Sequence, residues 1–172
     1  MTRLPVTELR GALRAASLAA ALILAGPALA QPVPPGYRLS MDTVERCHSA
    51  MLGVTRQAGS DGSLRAEMRG GRQAQFDSST AAKAASGFEQ TFPTAAGLLK
   101  SGGCPAGEFF TVMYAMTAAR VAASPDPMAP KDKAGAVPPE NIEFVTRNMA
   151  RLKQMAAEQR EAERAAGIGG PG

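Results

Sequence analysis

Apolar residues recur at three- and four-residue steps along most of the chain after about residue 40, the period of a helix with one buried face. Ser40 reads as an N-cap, with Asp42 and Glu45 near the positive end of a helix. Met41, Val44, Cys47 or His48, Met51 and Leu52 follow as its apolar face, and the helix is expected to end near Ala58-Gly59. A second helix is expected from Ser78 or Ser79 to Thr91, with Phe76, Ala84 and Phe88 toward its buried side. Pro93 can open a short helix as its first residue, anchored by Ala95, Leu98 and Leu99 and stopped by Gly102-Gly103. Another runs from Pro105 to about Ala123, with Phe109, Val112, Met113, Met116 and Val121 on its apolar side and Phe110 and Tyr114 flanking. A last helix starts near Pro138-Pro139, with Ile142, Val145, Met149, Leu152 and Met155 on one stripe. From Ala156 to Ala166 only alanines remain for packing, so that end is expected to project into solvent as a charged helix.

Between these stretches the pattern lapses. Gly59, Gly62, Gly70 and Gly71 punctuate residues 59–74, which read as a loop with at most one helical turn from Leu64 to Met68. Residues 124–139 hold five prolines and read as a surface linker. Amphipathic helices must bury their stripes on one another. The expected fold is therefore all-α: a small antiparallel bundle of four main helices plus one short one.

The N-terminus follows a different logic. Arg3, Arg10 and Arg14 precede an apolar run from Ala15 to Ala25, Gly26-Pro27 breaks it, and Ala28-Leu29-Ala30 supplies the small-x-small pattern of a cleavage site. The run is too short to span a bilayer, which takes roughly 20 residues. The expected organisation is a cleaved signal peptide at 1–30, an extended Pro-rich leader at 31–39, one helical domain at 40–166 and a flexible tail at 167–172. The expected location is periplasmic or secreted, with no stable transmembrane segment after cleavage.

Composition narrows the functional classes. Aromatics are scarce, with six Phe, two Tyr and no Trp, which argues against a β-sandwich. The formal charge of +4 drops to +2 once residues 1–30 are removed, too little to suggest nucleic-acid binding by bulk charge. Cys47 and Cys104 are the only cysteines, and in an oxidising compartment an even count favours a disulfide. Closing that 57-residue span would stabilise by roughly 4 kcal/mol in the chain-entropy account.

Candidate chemistry is thin. His48 is the sole histidine, so any Ser-His-Asp or Cys-His centre would have to use it, and no Gly-x-Ser-x-Gly elbow is present. Soft-metal ligation by His48, Met51, Met113 and Met116 is the alternative, a copper-type periplasmic site. Against it stands the ordinary use of methionine as core filler in a chain short of aromatics. No catalytic residue and no cofactor is assigned. Arg56, Arg65, Arg69 and Arg72 make the stretch 56–72 locally basic, suited to an acidic partner or simply to solubility. The expected function is a non-enzymatic binding or interaction module whose partner is a protein or another envelope component.

Overall fold

The computed structural model of the chain describes residues 33–34, 36–70, 79–126, 129 and 137–168. The stretch 1–30 expected to be a signal peptide, Arg72, Phe76 and Gly169–Gly172 lie outside the described residues. Seven helices and no strand are present among the described residues: α1 Met41–Ser60, α2 Gly62–Gly70, α3 Ala81–Thr91, α4 Pro93–Ser101, α5 Ala106–Ala123, α6 Pro139–Arg147 and α7 Met149–Ala165. The fold is an all-α bundle, as the periodicity predicts. The two additional helices come from α2 and from a break in the last helix.

Local chemistry sets the ends. The Ser40 hydroxyl accepts the Thr43 N–H at 3.2 Å to cap α1, and the Thr80 hydroxyl accepts the Lys83 N–H at 3.2 Å to cap α3. Asp61 closes one helix and opens the next. Its N–H donates to Gln57 O, and its carboxylate accepts from the N–H groups of Ser63 at 2.9 Å and Leu64 at 3.1 Å. Residues 62–70 are therefore helical, where a glycine-punctuated loop is expected from sequence. Leu64, fully buried, anchors that helix to the core.

The last helix divides at Asn148, whose backbone leaves the helical region at φ −101° and ψ 12°. Its side-chain amide donates to Phe144 O at 2.8 Å, as does its own N–H at 3.0 Å. Such local bonding lets asparagine compete with helix continuation.

Two helices end in the same way. Gly103 N–H donates to Lys100 O and Cys104 N–H to Leu99 O; Gly167 N–H donates to Arg164 O and Ile168 N–H to Glu163 O. Both are Schellman turns with a left-handed glycine, φ +85° at Gly103 and +65° at Gly167. The second turn folds Ile168 back into the core, where it is 4% exposed, with Ala166 buried beside it. The packed body thus extends past Ala166, and the tail expected from Gly167 is ordered through Ile168. At the other end Leu39 is buried. Its N–H donates to Asn141 Oδ1 at 2.8 Å, while Asn141 Nδ2 donates to Tyr37 O at 2.9 Å. Asn141 is itself buried, and these bonds satisfy both ends of its amide. The end of the leader is pinned to α6.

α5 is the central helix. It packs against α3 and α6 most extensively, and also against α1 and α4. Phe109, Phe110, Val112, Tyr114, Ala115, Ala118 and Ala119 are all buried on it, a far wider face than one stripe. Phe88 of α3 meets Phe92 at 5.1 Å and Phe110 at 5.6 Å between ring centroids, in an aromatic cluster with Phe109. α7 is held differently. Met155 is its one buried residue, and Ile142, Met149 and Leu152 of the expected stripe are only partly buried. α7 runs parallel to α1, with Arg151 beside Glu45, Gln159 beside Thr55 and Ala166 beside Gly59.

Candidate functional site

Among the described residues, ionisable side chains meet across helices in two places. The first surrounds the cysteines. Cys47 and Cys104 are joined as a disulfide, with Cα atoms 5.0 Å apart, and both are buried. The Schellman turn after α4 delivers Cys104 to the middle of α1. Arg46, the neighbour of Cys47, donates to Gly103 O and forks onto Glu108 with bonds of 2.8 and 2.7 Å. This fork holds the Glu108 carboxyl below its ordinary range, and Glu108 in turn raises the Arg46 guanidinium further. Sulfur and carboxylate atoms of Cys47, Cys104 and Glu108 lie within 4.8 Å of one another. The sulfurs are bonded to each other, however, and thiolates are what a soft metal needs.

The second gathering lines the seam between α1 and α7. His48 Nε2 is 3.2 Å from Glu158 Oε2, and an ionised carboxylate only accepts, so Nε2 carries a proton. Glu158 also accepts from Gln154 Nε2 at 2.9 Å and sits 3.6 Å from Arg151 Nη1. Arg151 Nε in turn donates to Glu45 at 2.9 Å. The result is a chain of alternating groups, Glu45–Arg151–Glu158–His48, binding one helix to the other. The His48 hydrogen bond, then Gln154 and Arg151, hold the Glu158 carboxyl below its usual range. Deeper in the seam Gln159 Nε2 donates to the buried Thr55 hydroxyl at 3.0 Å and to Glu163 at 2.8 Å.

Past Glu158 the helices part into a surface cleft of about 450 Å³. Arg56 and Gly59 form the α1 wall; Glu158, Glu161, Ala162 and Ala165 form the α7 wall. A second hollow of about 410 Å³, almost wholly apolar, lies among Val33, Pro34, Ala81, Ala82, Gly107 and Thr111.

The residues singled out by sequence separate here. The cysteines come together. His48 turns to α7, while Met51, Met113 and Met116 are partly buried against the hydrophobic core. A His–carboxylate pair is two parts of a nucleophilic triad. Among the described residues no hydroxyl bonds to His48, and the only thiols of the chain are bridged to each other.

The basic stretch has three distinct roles. Arg65 donates to Ala58 O at 2.9 Å and to Gly59 O, and Arg69 donates to Gly167 O at 3.0 Å. They satisfy the carbonyls at the ends of α1 and α7, as cationic side chains do at helix C-termini. Arg56 alone of the three faces the cleft. Glu67 of α2 accepts the Ala95 N–H at 3.0 Å, capping α4, whose own N-cap residue Phe92 offers no side-chain acceptor. The sequence signals for this helix were Asp61 three residues before Leu64 and the four-residue step from Leu64 to Met68.

No helix among the described residues is long and apolar enough to cross a membrane. No protein-family model, curated protein or solved structure matches the chain.

Proposed function

We propose that the chain is an exported helical binding module of the bacterial envelope, not an enzyme, and that it recognises its partner through the α1–α7 seam. One observation carries this reading: the seam is the place where the fold leaves charged side chains, Arg56 and Glu161, exposed around a cleft and unpaired among the described residues. Support for export comes from the succession of arginines, apolar run and Ala28-Leu29-Ala30 in the N-terminal sequence and from a disulfide that closes 57 residues. The bridge and the capping contacts of α2 supply a rigid scaffold, which lowers the entropic cost of binding.

Photo-crosslinking in the producing bacterium tests it. A photoreactive residue at Ala162 or Ala165, which line the cleft without supplying its charges, should give a discrete adduct with an envelope component, and one at exposed Lys100 on α4 should not. Adducts of equal yield from all three positions, or none from the seam, would remove the recognition role from α1 and α7.

A further inference from the structure

Most charges along the seam are already committed. Glu45, Arg151, Glu158 and His48 are bonded in sequence across it. Arg56 and Glu161 are the exceptions. Both are exposed, they stand on opposite walls of the cleft, and neither has a hydrogen bond or ion pair among the described residues. Between them the lining residues are Gly59, Ala162 and Ala165, which bring nothing larger than a methyl group into the space. The far end is held in place, because Arg69 fixes Gly167 and Ala166 packs beside Gly59.

We infer that this cleft binds a small zwitterion of the α-amino-acid class, its carboxylate on Arg56 and its ammonium on Glu161. A guanidinium presents a planar fork that matches a carboxylate. Glu158 is occupied by His48, Gln154 and Arg151, which leaves Glu161 as the free anion for the ammonium. Ala162 and Ala165 then face the carbon skeleton. Opposed charges also select against singly charged ions. An anion attracted by Arg56 meets Glu161 and Glu158, and a cation attracted by the carboxylates meets Arg56. The cleft is open to solvent, which screens both contacts, so weak binding, on the order of millimolar, is the expected outcome. The inference rests on the proposed recognition role of the seam and specifies the chemistry it would accept.

The test is an amide ¹H–¹⁵N titration of the oxidised protein with L-alanine, with sodium acetate and methylammonium chloride as single-charge controls. L-Alanine should move the amides of Gly59, Ala162 and Ala165 saturably, with half-saturation in the millimolar range. Each control should be at least tenfold weaker. Arg56→Gln and Glu161→Gln should each weaken binding at least tenfold without changing the melting temperature, since both side chains are exposed and unpaired. Absence of a saturable shift, an equal response to acetate, or indifference to Arg56→Gln would overturn the inference. Successful crosslinking from Ala165 together with a failed alanine titration would overturn the zwitterion alone and leave the seam as a surface for a larger partner.

Discussion

Glu67 Oε1 accepts the backbone N–H of Ala95 at 3.0 Å, so a side chain of α2 caps the first turn of α4. Its neighbours on the same nine-residue helix act alike: Arg65 serves the end of α1, and Arg69 the turn after α7. With Leu64 buried beneath them, these side chains make α2 the junction at which three other helices end or begin. Glu67→Ala should destabilise by about 1 kcal/mol, the usual cost of losing a cap, and should speed amide exchange at Ala95. Glu67→Gln, which keeps an acceptor oxygen, should recover most of the loss. Equal stability of wild type and Glu67→Ala would show that the cap contributes nothing.

Truncation after Ala157 distinguishes an ordered C-terminus from a projecting one. From Ala156 to Ala166 the sequence offers only alanines for packing and suggests an extension without a packing role. In the fold that segment carries Glu158 against His48, Gln159 against Thr55, and Ile168 in the core. Truncation should therefore lower the melting temperature by several degrees or more. Ile168→Ala alone should cost about 2 kcal/mol, at the low end for a buried aliphatic truncation near a chain end. An unchanged melting temperature in both variants would mean that the C-terminal turn is not docked.

How far the fold could be read from sequence depended on the kind of signal. Four helix starts were legible, because Ser40, Pro93, Pro105 and the Pro138-Pro139 pair are chemically specific to that position. The disulfide was legible from the even cysteine count together with the expectation of an oxidising compartment. α2 was hidden by glycines that flank a helix as readily as they make a loop, although Asp61 is a good N-cap. The break at Asn148 left the three- and four-residue spacing intact, so periodicity could not reveal it. Leu152 fits the stripe but is only partly buried, because α7 leans on α1 chiefly through polar side chains. The cleft was illegible for a related reason. Arg56 belongs to a basic run whose other described members cap helices, and its position opposite Glu161 across the cleft depends on the parallel pairing of α1 and α7.

Gly102→Ala probes the turn that presents Cys104. A Cβ at position 102 would stand 2.8 Å from the Ala50 Cβ and 3.1 Å from its Cα, too close for either to remain in place. The expected cost is about 1–3 kcal/mol, as for other overpacked sites. Ala50→Gly in the same chain should restore part of it. Failure of the second change to help would place the cost elsewhere than in this contact.

Acid should destabilise the fold through three carboxylates. Glu108 is held below its ordinary range by hydrogen bonds from Arg46, Glu158 by that from His48, and Asp61 by those of the Ser63 hydroxyl and the Leu64 and Ser63 N–H groups. A carboxyl depressed in the folded state stabilises above its unfolded value, near 4. That contribution is lost as pH falls through the depressed value. The melting temperature should fall progressively below about pH 4, and Glu108→Gln should reduce the slope. A melting temperature independent of pH between 4 and about 2.5 would contradict these bonding patterns.

We propose that this bundle works outside the cytoplasm as a disulfide-held scaffold. The most direct measurement is intact mass with N-terminal sequencing of the protein recovered from separated cell fractions, alkylated without reductant. The account predicts a chain beginning at Gln31 in the periplasmic or extracellular fraction, carrying no alkyl label on Cys47 or Cys104. An intact chain beginning at Met1 in the cytoplasm, with both cysteines alkylated, would contradict it.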